Sequence, residues 1–409
     1  MQVAPDYLVH HLYPNLNDSR SMQFHEAPVF PRGFRCASKN CGLKPSARDL
    51  TLFTSEVDAA AAAVFTRNHF PGAPVLLGRQ TIRAGTLRAI VANSRISNVA
   101  TGPLGVENAR RMAAAAATEA GTTEDRVLVS STGVIGVPLP IEKIENGLRG
   151  MAAALQDDPV VGAEGIMTTD TRPKALSARV GNATITWVAK GAGMIQPDMA
   201  TMLVYIFTDA AFDAAALDRM LRRAVHVSFN MLSIDSDTST SDTCAILANG
   251  LAGPVPASEF EPALIAGCVR VTEMLARDGE GATRLLRVSV DGATSEEDAR
   301  NVARTIINSP LIKTMAHGAD PNVGRILMAI GKCFDCTIVP DSTDASINGT
   351  PVVIGGVRAA FDEARVREAL AGDTVDITIT LGVGHGRAVG WGCDLSAGYI
   401  DENAAYYSS

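Results

Sequence analysis

The chain has 409 residues, 46% hydrophobic and 20% charged, an ordinary globular composition with enough length for two or three packed domains. Its 44 acidic and 36 basic side chains give a formal charge of -8 without any Lys/Arg-rich block. That balance excludes nucleic acid and anionic membrane as expected partners and makes small molecules the default. Apolar runs such as 59–65 and 201–207 fall far short of the ~20 residues that span a bilayer. No secretory signal is expected at the N-terminus, and seven cysteines in a chain of this size fit a reducing cytoplasm.

Residues 1–30 scatter aromatics, prolines and histidines without a period and read as an irregular N-terminal extension. The alanine-rich segment 59–66 is compatible with a helix by propensity or with a buried strand by its Val64-Phe65-Thr66 end, and periodicity does not decide. Helices are expected over Val106–Ala120 and Ile141–Leu155. Between them the apolar Val127-Leu128-Val129 predicts a strand that ends in the turn Ser131-Thr132-Gly133. Thr184–Ala189 alternates as a strand does, and Met202–Phe207 is an apolar run bounded by Pro197 and Asp209, so a turn between two buried strands is expected there.

Beyond it, Phe212–Val227 and Ser258–Ala276 predict helices, followed by the glycine-rich Asp278-Gly279-Glu280-Gly281 and a strand at Leu285–Val290. Alternation continues through Val302–Ile307, Ala360–Leu370, Val375–Leu381 and Ala388–Trp391, the pattern of an α/β protein with layered sheets. No repeat or low-complexity linker divides the chain. Gly382-Val383-Gly384-His385-Gly386 lies between two strands and is expected to be a hairpin and not a dinucleotide loop. Cys333-Phe334-Asp335-Cys336 lacks a second pair at zinc-ribbon spacing, so no metal is expected. His317 is expected to be structural or at the surface.

The segment 190–203, Lys190-Gly191-Ala192-Gly193-Met194-Ile195-Gln196-Pro197-Asp198-Met199-Ala200-Thr201-Met202-Leu203, places two glycines and a proline ahead of a hydroxyl residue that opens an apolar run. Alone, Thr201 would be an ordinary strand residue. Other motifs change that expectation: Pro31-Arg32-Gly33-Phe34, Ser131-Thr132-Gly133-Val134-Ile135-Gly136, 167–174, Asp237-Thr238-Ser239-Thr240-Ser241-Asp242-Thr243, Asp278-Gly279-Glu280-Gly281-Ala282-Thr283, 308–314 and Asp320-Pro321-Asn322. Together, over residues 31–409, they resemble the ornithine acetyltransferase (glutamate N-acetyltransferase) family.

The resemblance implies a layered αββα sandwich of the ornithine acetyltransferase/DmpA-like type with an additional smaller α/β domain. It also implies self-cleavage at Ala200-Thr201, giving an α chain of 31–200 and a β chain of 201–409, assembled as α2β2. A Thr hydroxyl is a poor nucleophile at its free pKa, and the freed α-amino group, with a pKa of about 8, supplies a base on the same residue. Thr201 is then the implied acyl carrier in a ping-pong transfer from N-acetylornithine to glutamate, within arginine biosynthesis and without a cofactor. Thr132 and Gly133 are implied as the oxyanion hole. Thr168, Lys190, Thr201, Glu280, Asn403 and Ser408 are implied as contacts to amino-acid substrates, Lys190 suiting a carboxylate and Glu280 an ammonium.

Some positions depart from the family pattern. Val323 stands where Trp is common, Asn93–Asn98 is less regular, Asp198 replaces the commoner Asn, and Ser408 replaces Thr. These departures lead to the expectation of a changed pocket and a different acyl donor or acceptor in specialised metabolism. An N-terminal-nucleophile amidohydrolase or aminopeptidase and an uncleaved binding protein are the other functions compatible with the sequence.

Overall fold

The computed structural model describes residues 23–25, 27–196 and 202–404. Ala200, Thr201 and Ser408 lie outside the described residues, as does most of the N-terminal extension. No described helix is long and apolar enough to cross a membrane.

The first sheet has nine strands: β1 (Gln23–Phe24), β2 (Phe34–Lys39), β3 (Leu50–Phe65), β4 (Thr86–Asn93), β5 (Val127–Ser131), β6 (Lys174–Val180), β7 (Ala183–Lys190), β8 (Leu203–Ala211) and, after the short β9 (Leu232–Ser233) of the other sheet, β10 (Thr243–Pro254). Their order is β1-β6-β7-β8-β10-β3-β4-β5, with β2 also on β3. The ambiguous alanine run is the second half of β3. Its first half pairs with β2 and β4, its second half pairs with β10, and the register against β4 shifts between Thr54 and Ala59. Such a bulge bends a strand, and here the sheet folds over on itself.

The two halves meet face to face. Phe53 of β3 lies 5.4 Å from Tyr205 and 5.3 Å from Phe207 of β8, ring centre to ring centre, and Ile90 and Leu128 join Val188 and Leu247 in the same core. Helices cover both outer faces. On one side Met112, Ala113 and Ala116 of α2 (Gly102–Ala120) and Ile144 and Leu148 of α3 (Ile141–Leu148) pack on Leu50, Leu52, Val91 and Val129; the preceding α1 (Ala73–Thr81) lies beside β5. Past α4 (Pro159–Ile166), whose Ala163 and Ile166 join the inner core, come α5 (Ala214–Val227) and α6 (Ala257–Arg277) on the other side. Their Leu217, Leu221, Leu264 and Cys268 pack on Ile185, Trp187, Val204 and Ile206. The result is an αββα sandwich. Contact with α6 is close because Gly267 has no side chain: a Cβ there would stand 2.1 Å from the Trp187 ring.

The second sheet has seven strands in the order β14-β13-β12-β15-β11-β16-β9. Its remaining strands are β11 (Leu285–Ala293), β12 (Asp344–Ile347), β13 (Thr350–Ile354), β14 (Val357–Arg358), β15 (Thr374–Thr380) and β16 (Gly386–Cys393). Helices α7 (Glu296–Ile307), α8 (Pro310–His317), α9 (Gly324–Gly331) and α10 (Glu363–Leu370) accompany it, and α11 (Ala397–Asn403) closes the described chain. A continuous apolar core joins this smaller unit to the sandwich across α6.

The Gly382–Gly386 segment is not a hairpin, because β11 lies between β15 and β16 and pairs with both. The loop instead crosses the end of β11, and a Cβ on Gly384 would stand 2.3 Å from the Ala293 carbonyl oxygen. His317 is structural, its Nδ1 lying 2.8 Å from the buried Asp394 carboxylate.

Candidate active site

The cleft opens where strands of the sandwich end. β7 and β8 form the expected antiparallel pair, with Lys190 opposite Leu203, so the segment between them leaves and re-enters the sheet at one place. Both sides of it are anchored. The Met194 and Ile195 N–H groups donate to the Asp235 carboxylate at 2.6 and 2.9 Å. Gln196 is held through its N–H to the Asp237 carbonyl and through its side-chain oxygen, which accepts from Asn308 Nδ2. On the return, the Met202 carbonyl accepts from the Thr243 N–H at 2.9 Å.

The turn after β5 forms one wall. Thr132 N–H donates to the Asn93 carbonyl at 3.0 Å, and Ser131 Oγ donates to Asn93 Oδ1. Gly133 has φ +126°, and a Cβ there would stand 2.2 Å from the Arg95 carbonyl, so both conformation and space demand glycine. The segment 93–98, read from sequence as a departure, is thus the shelf against which this turn is built. Lys190 Nζ lies 3.2 Å from Thr132 Oγ1, and both residues are buried. Burial pulls the Lys190 pKa down, against the opposing pull of Asp170 and Asp242.

The opposite wall is acidic. Glu280 is 7% exposed, its carboxylate accepts from Thr169 Oγ1 and from Asn403 Nδ2, each at 2.7 Å, and its N–H donates to the Ala192 carbonyl. Gly193 admits it: a Cβ on Gly193 would stand 2.2 Å from a carboxylate oxygen. Behind this wall Lys174 Nζ sits between Asp170 at 2.6 Å and Asp278 at 2.5 Å, all three nearly inaccessible. Asp170 also accepts from the Gly191 and Thr168 N–H groups, and Asp278 from the Thr171 N–H and hydroxyl. One buried ion cluster therefore fixes three chain segments that carry lining residues.

The cleft so formed has about 560 Å³ of space open to solvent, and Thr132, Gly133, Thr168, Lys190, Glu280 and Asn403 all line it. Six of the residues singled out in the sequence, distributed from position 132 to 403, converge there. A recess of about 230 Å³ continues inward past Thr132 and Lys190 to Met202, Ser241 and Asp242; Glu280 and Asn403 line only the outer part. Thr169, Ser239 and Asp242 also line these spaces and are not singled out by the sequence, although clustered hydroxyls and carboxylates in 167–174 and 237–243 were a signal for them. Val323 does not line the cleft; it is buried in the core of the smaller unit. Among the described residues no cluster of His, Cys, Asp and Glu is arranged to hold a metal ion.

Comparison with known proteins follows the same outline. A model of the ArgJ family matches residues 35–408. The glutamate N-acetyltransferase Oat2 of Streptomyces clavuligerus is 44% identical over 387 residues, covering 93% of this chain and 98% of its own. The arginine biosynthesis bifunctional protein ArgJ of Rhodococcoides fascians is 44% identical over 379 residues, 92% of this chain and 94% of its own. Among solved structures, that of the arginine biosynthesis bifunctional protein ArgJ from Bacillus halodurans aligns with a TM-score of 0.48 at 35% identity, covering 49% of this chain and 98% of that one. The ornithine acetyltransferase of Mycobacterium tuberculosis, in complex with ornithine, aligns with a TM-score of 0.42 at 38% identity, covering 44% of this chain and 100% of that one. Matched by the family model over nearly its whole length and by relatives of this identity and coverage, the chain belongs to the ArgJ family and is an acyltransferase.

Proposed function

We propose that the protein cleaves itself between Ala200 and Thr201 and then moves an acetyl group from N-acetylornithine to glutamate, through an acyl-Thr201 intermediate, in arginine biosynthesis. The observation that carries this reading is the recess in which Thr132 and Lys190 stand beside Met202. Thr201 is the residue before Met202 in the chain, about 3.8 Å away between Cα atoms across a trans peptide bond. In the first step that hydroxyl attacks the Ala200 carbonyl and the resulting ester is hydrolysed. In the second it attacks the acetyl carbonyl of the donor, ornithine departs, and the glutamate amine takes the acetyl group.

Each attack puts negative charge on a carbonyl oxygen. The Thr132 hydroxyl and the Gly133 N–H are the proposed donors to it, with the Lys190 ammonium beside them. Lys190 at the inner end and Glu280 at the outer end suit the carboxylate and the ammonium of an amino acid, with Thr168, Asn403 and Ser408 as further contacts. The similarity to the arginine biosynthesis protein ArgJ of Rhodococcoides fascians, 44% identical over 92% of this chain, supports the ornithine and glutamate pair over a specialised substrate.

Denaturing electrophoresis of the purified protein should show two fragments of similar size, the second beginning Thr-Met-Leu-Val. Thr201→Ala should give one band and no transfer. Incubation with N-acetylornithine should raise the mass of the Thr201 fragment by one acetyl group. A wild-type protein that stays in one piece yet transfers acetyl groups at full rate would refute the scheme, and acetate release without acceptor dependence would assign the chain to hydrolysis.

A further inference from the structure

Met194 stands at the neck of the cleft. It is 44% exposed and lines both the outer space, which Glu280 and Asn403 border, and the inner recess that runs past Lys190 to Met202. The other described residues common to both spaces are Thr132, Lys190, Gly193, Ser239 and Ser241. Among them Met194 is the one large apolar side chain.

Its backbone is held there against its own preference. The φ angle is +53°, a left-handed conformation uncommon for a bulky residue. Asp235 fixes it by gripping the successive N–H groups of Met194 and Ile195, while the Ile195 carbonyl accepts from the Ile234 N–H at 2.8 Å. The Ile195 side chain is buried in the core, which leaves Met194 on the cleft side. Strain of this kind persists where the surroundings over-determine it, and it clusters at ligand sites. The same carboxylate lies 3.4 Å from the Tyr399 hydroxyl, and the Tyr399 carbonyl accepts from Asn403 Nδ2, so the helix that carries Asn403 is tied to the anchor of Met194.

The two wall charges decide what must cross this neck. A molecule with its carboxylate at Lys190 and an ammonium at Glu280 spans it with the hydrocarbon that joins them. Met194 directly follows Gly193, the residue against which the Glu280 carboxylate packs so closely that a Cβ would stand 2.2 Å from it. The hydroxyls around the neck gain little from a methylene, whereas an unbranched thioether chain removes it from water and adapts its shape to it. We propose that Met194 is a specificity-determining residue that packs on the methylene stem of the donor, selecting an amino acid whose carboxylate and terminal ammonium are joined by a short unbranched chain. This rests on the ornithine-type substrate proposed above and adds the contact that reads its stem.

Met194→Gly tests it, because glycine removes the side chain and suits the positive φ. In the cleaved variant the KM for N-acetylornithine and the dissociation constant for ornithine should rise about 15-fold, two methylenes at about fourfold each. The kcat should stay within about twofold, the mark of binding lost equally from ground and transition states. Preference for N-acetylornithine over the homologue with one methylene fewer should shrink about fourfold. Met194→Leu should stay within about threefold of the wild type, whereas Met194→Gln, similar in length but polar, should bind like the glycine variant. That contrast separates apolar contact from the filling of space, and it carries the test if the glycine variant does not cleave. Glycine and glutamine variants with wild-type KM and wild-type chain-length preference overturn the proposal, and so does a fall in kcat alone. A wild type that does not bind ornithine removes this proposal together with the substrate reading beneath it. A wild type that transfers acetyl groups from N-acetylornithine, with variants that bind as it does, removes this proposal alone.

Discussion

The sandwich and the smaller sheet are built on the same apolar pattern but treat charge differently. Around the end of β7, Asp170, Lys174, Lys190, Asp242, Asp278 and Glu280 are all buried and mostly face one another across the cleft walls. In the smaller unit each buried cation braces the scaffold. Arg287 grips Asp376 at 2.6 Å and Glu273 at 3.2 Å, Lys313 donates to the Cys393 carbonyl, and Arg300 donates to the His226 carbonyl. Desolvating charge is expensive. One unit bears that expense to hold its elements together, and the other concentrates it where a charged substrate would bind.

The sharpest break in the comparison is at Lys174. Lys174→Met leaves Asp170 and Asp278 buried without their cation and should cost about 3–5 kcal/mol of stability, read as a lower urea midpoint, together with loss of transfer. Burial raises the Asp170 pKa, but Lys174 and Lys190 more than offset it and hold the carboxyl below its ordinary range. A carboxyl depressed in this way contributes stability that is complete above its unfolded pKa of about 3.9 and is lost as pH falls through the folded value. The wild type should therefore lose stability steeply below about pH 4, and the variant, which keeps only Lys190 as a cation near Asp170, should show a smaller acid-dependent component.

Glu280→Gln keeps the shape of the wall and removes its charge. Affinity for an ornithine-type donor should drop by ~1.5–3 kcal/mol if a substrate ammonium pairs there, measured as the donor's dissociation constant. Unchanged binding would return Glu280 to the bracing class of the smaller unit, as a support for Thr169 and Asn403.

Sequence periodicity was informative where side chains differ between faces and silent where they do not. The β7-turn-β8 unit and the turn after β5 were legible because apolar runs stop at glycine, proline or polar residues. The 59–65 run was not, since alanine fills the second half of β3 for a reason periodicity cannot express. Its Ala61 and Ala63 face the inner core while Ala62 and Val64 face the helices. The path of Gly382–Gly386 depended on β11, nearly a hundred residues away, and so was invisible locally. Six residues of the cleft lining, Thr132, Gly133, Thr168, Lys190, Glu280 and Asn403, were legible through the resemblance, while Thr169 and Ser239 were not. The ion cluster behind it was not, because Asp170, Lys174 and Asp278 acquire their meaning only from distances between segments far apart in the chain.

Val323 sharpens the comparison from the other side. It is buried in the core of the smaller unit at the start of α9, so Val323→Ala should cost about 1–3 kcal/mol by removing two buried methyl groups. The steady-state constants of the folded variant should match the wild type. A change in substrate preference without loss of stability would restore the expectation that this position shapes the pocket.

The smallest effect separates charge itself from buried charge. Asp218 and Arg222 of α5 form an i,i+4 pair at 2.8 Å with both side chains nearly half exposed, and the acid precedes the base, the better orientation on a helix. In water the attraction is weak and holding two long side chains together costs rotamer freedom, so a double-mutant cycle of Asp218→Ala and Arg222→Ala should give only ~0.3–0.5 kcal/mol. That coupling should shrink with added salt. The Lys174 cluster, nearly inaccessible to solvent, should give a salt-insensitive loss several times larger. A coupling above about 1 kcal/mol at the exposed pair would mean that ion pairs in this chain act alike wherever they lie, and burial would then no longer explain why the cleft, and not the surface, holds its decisive charges.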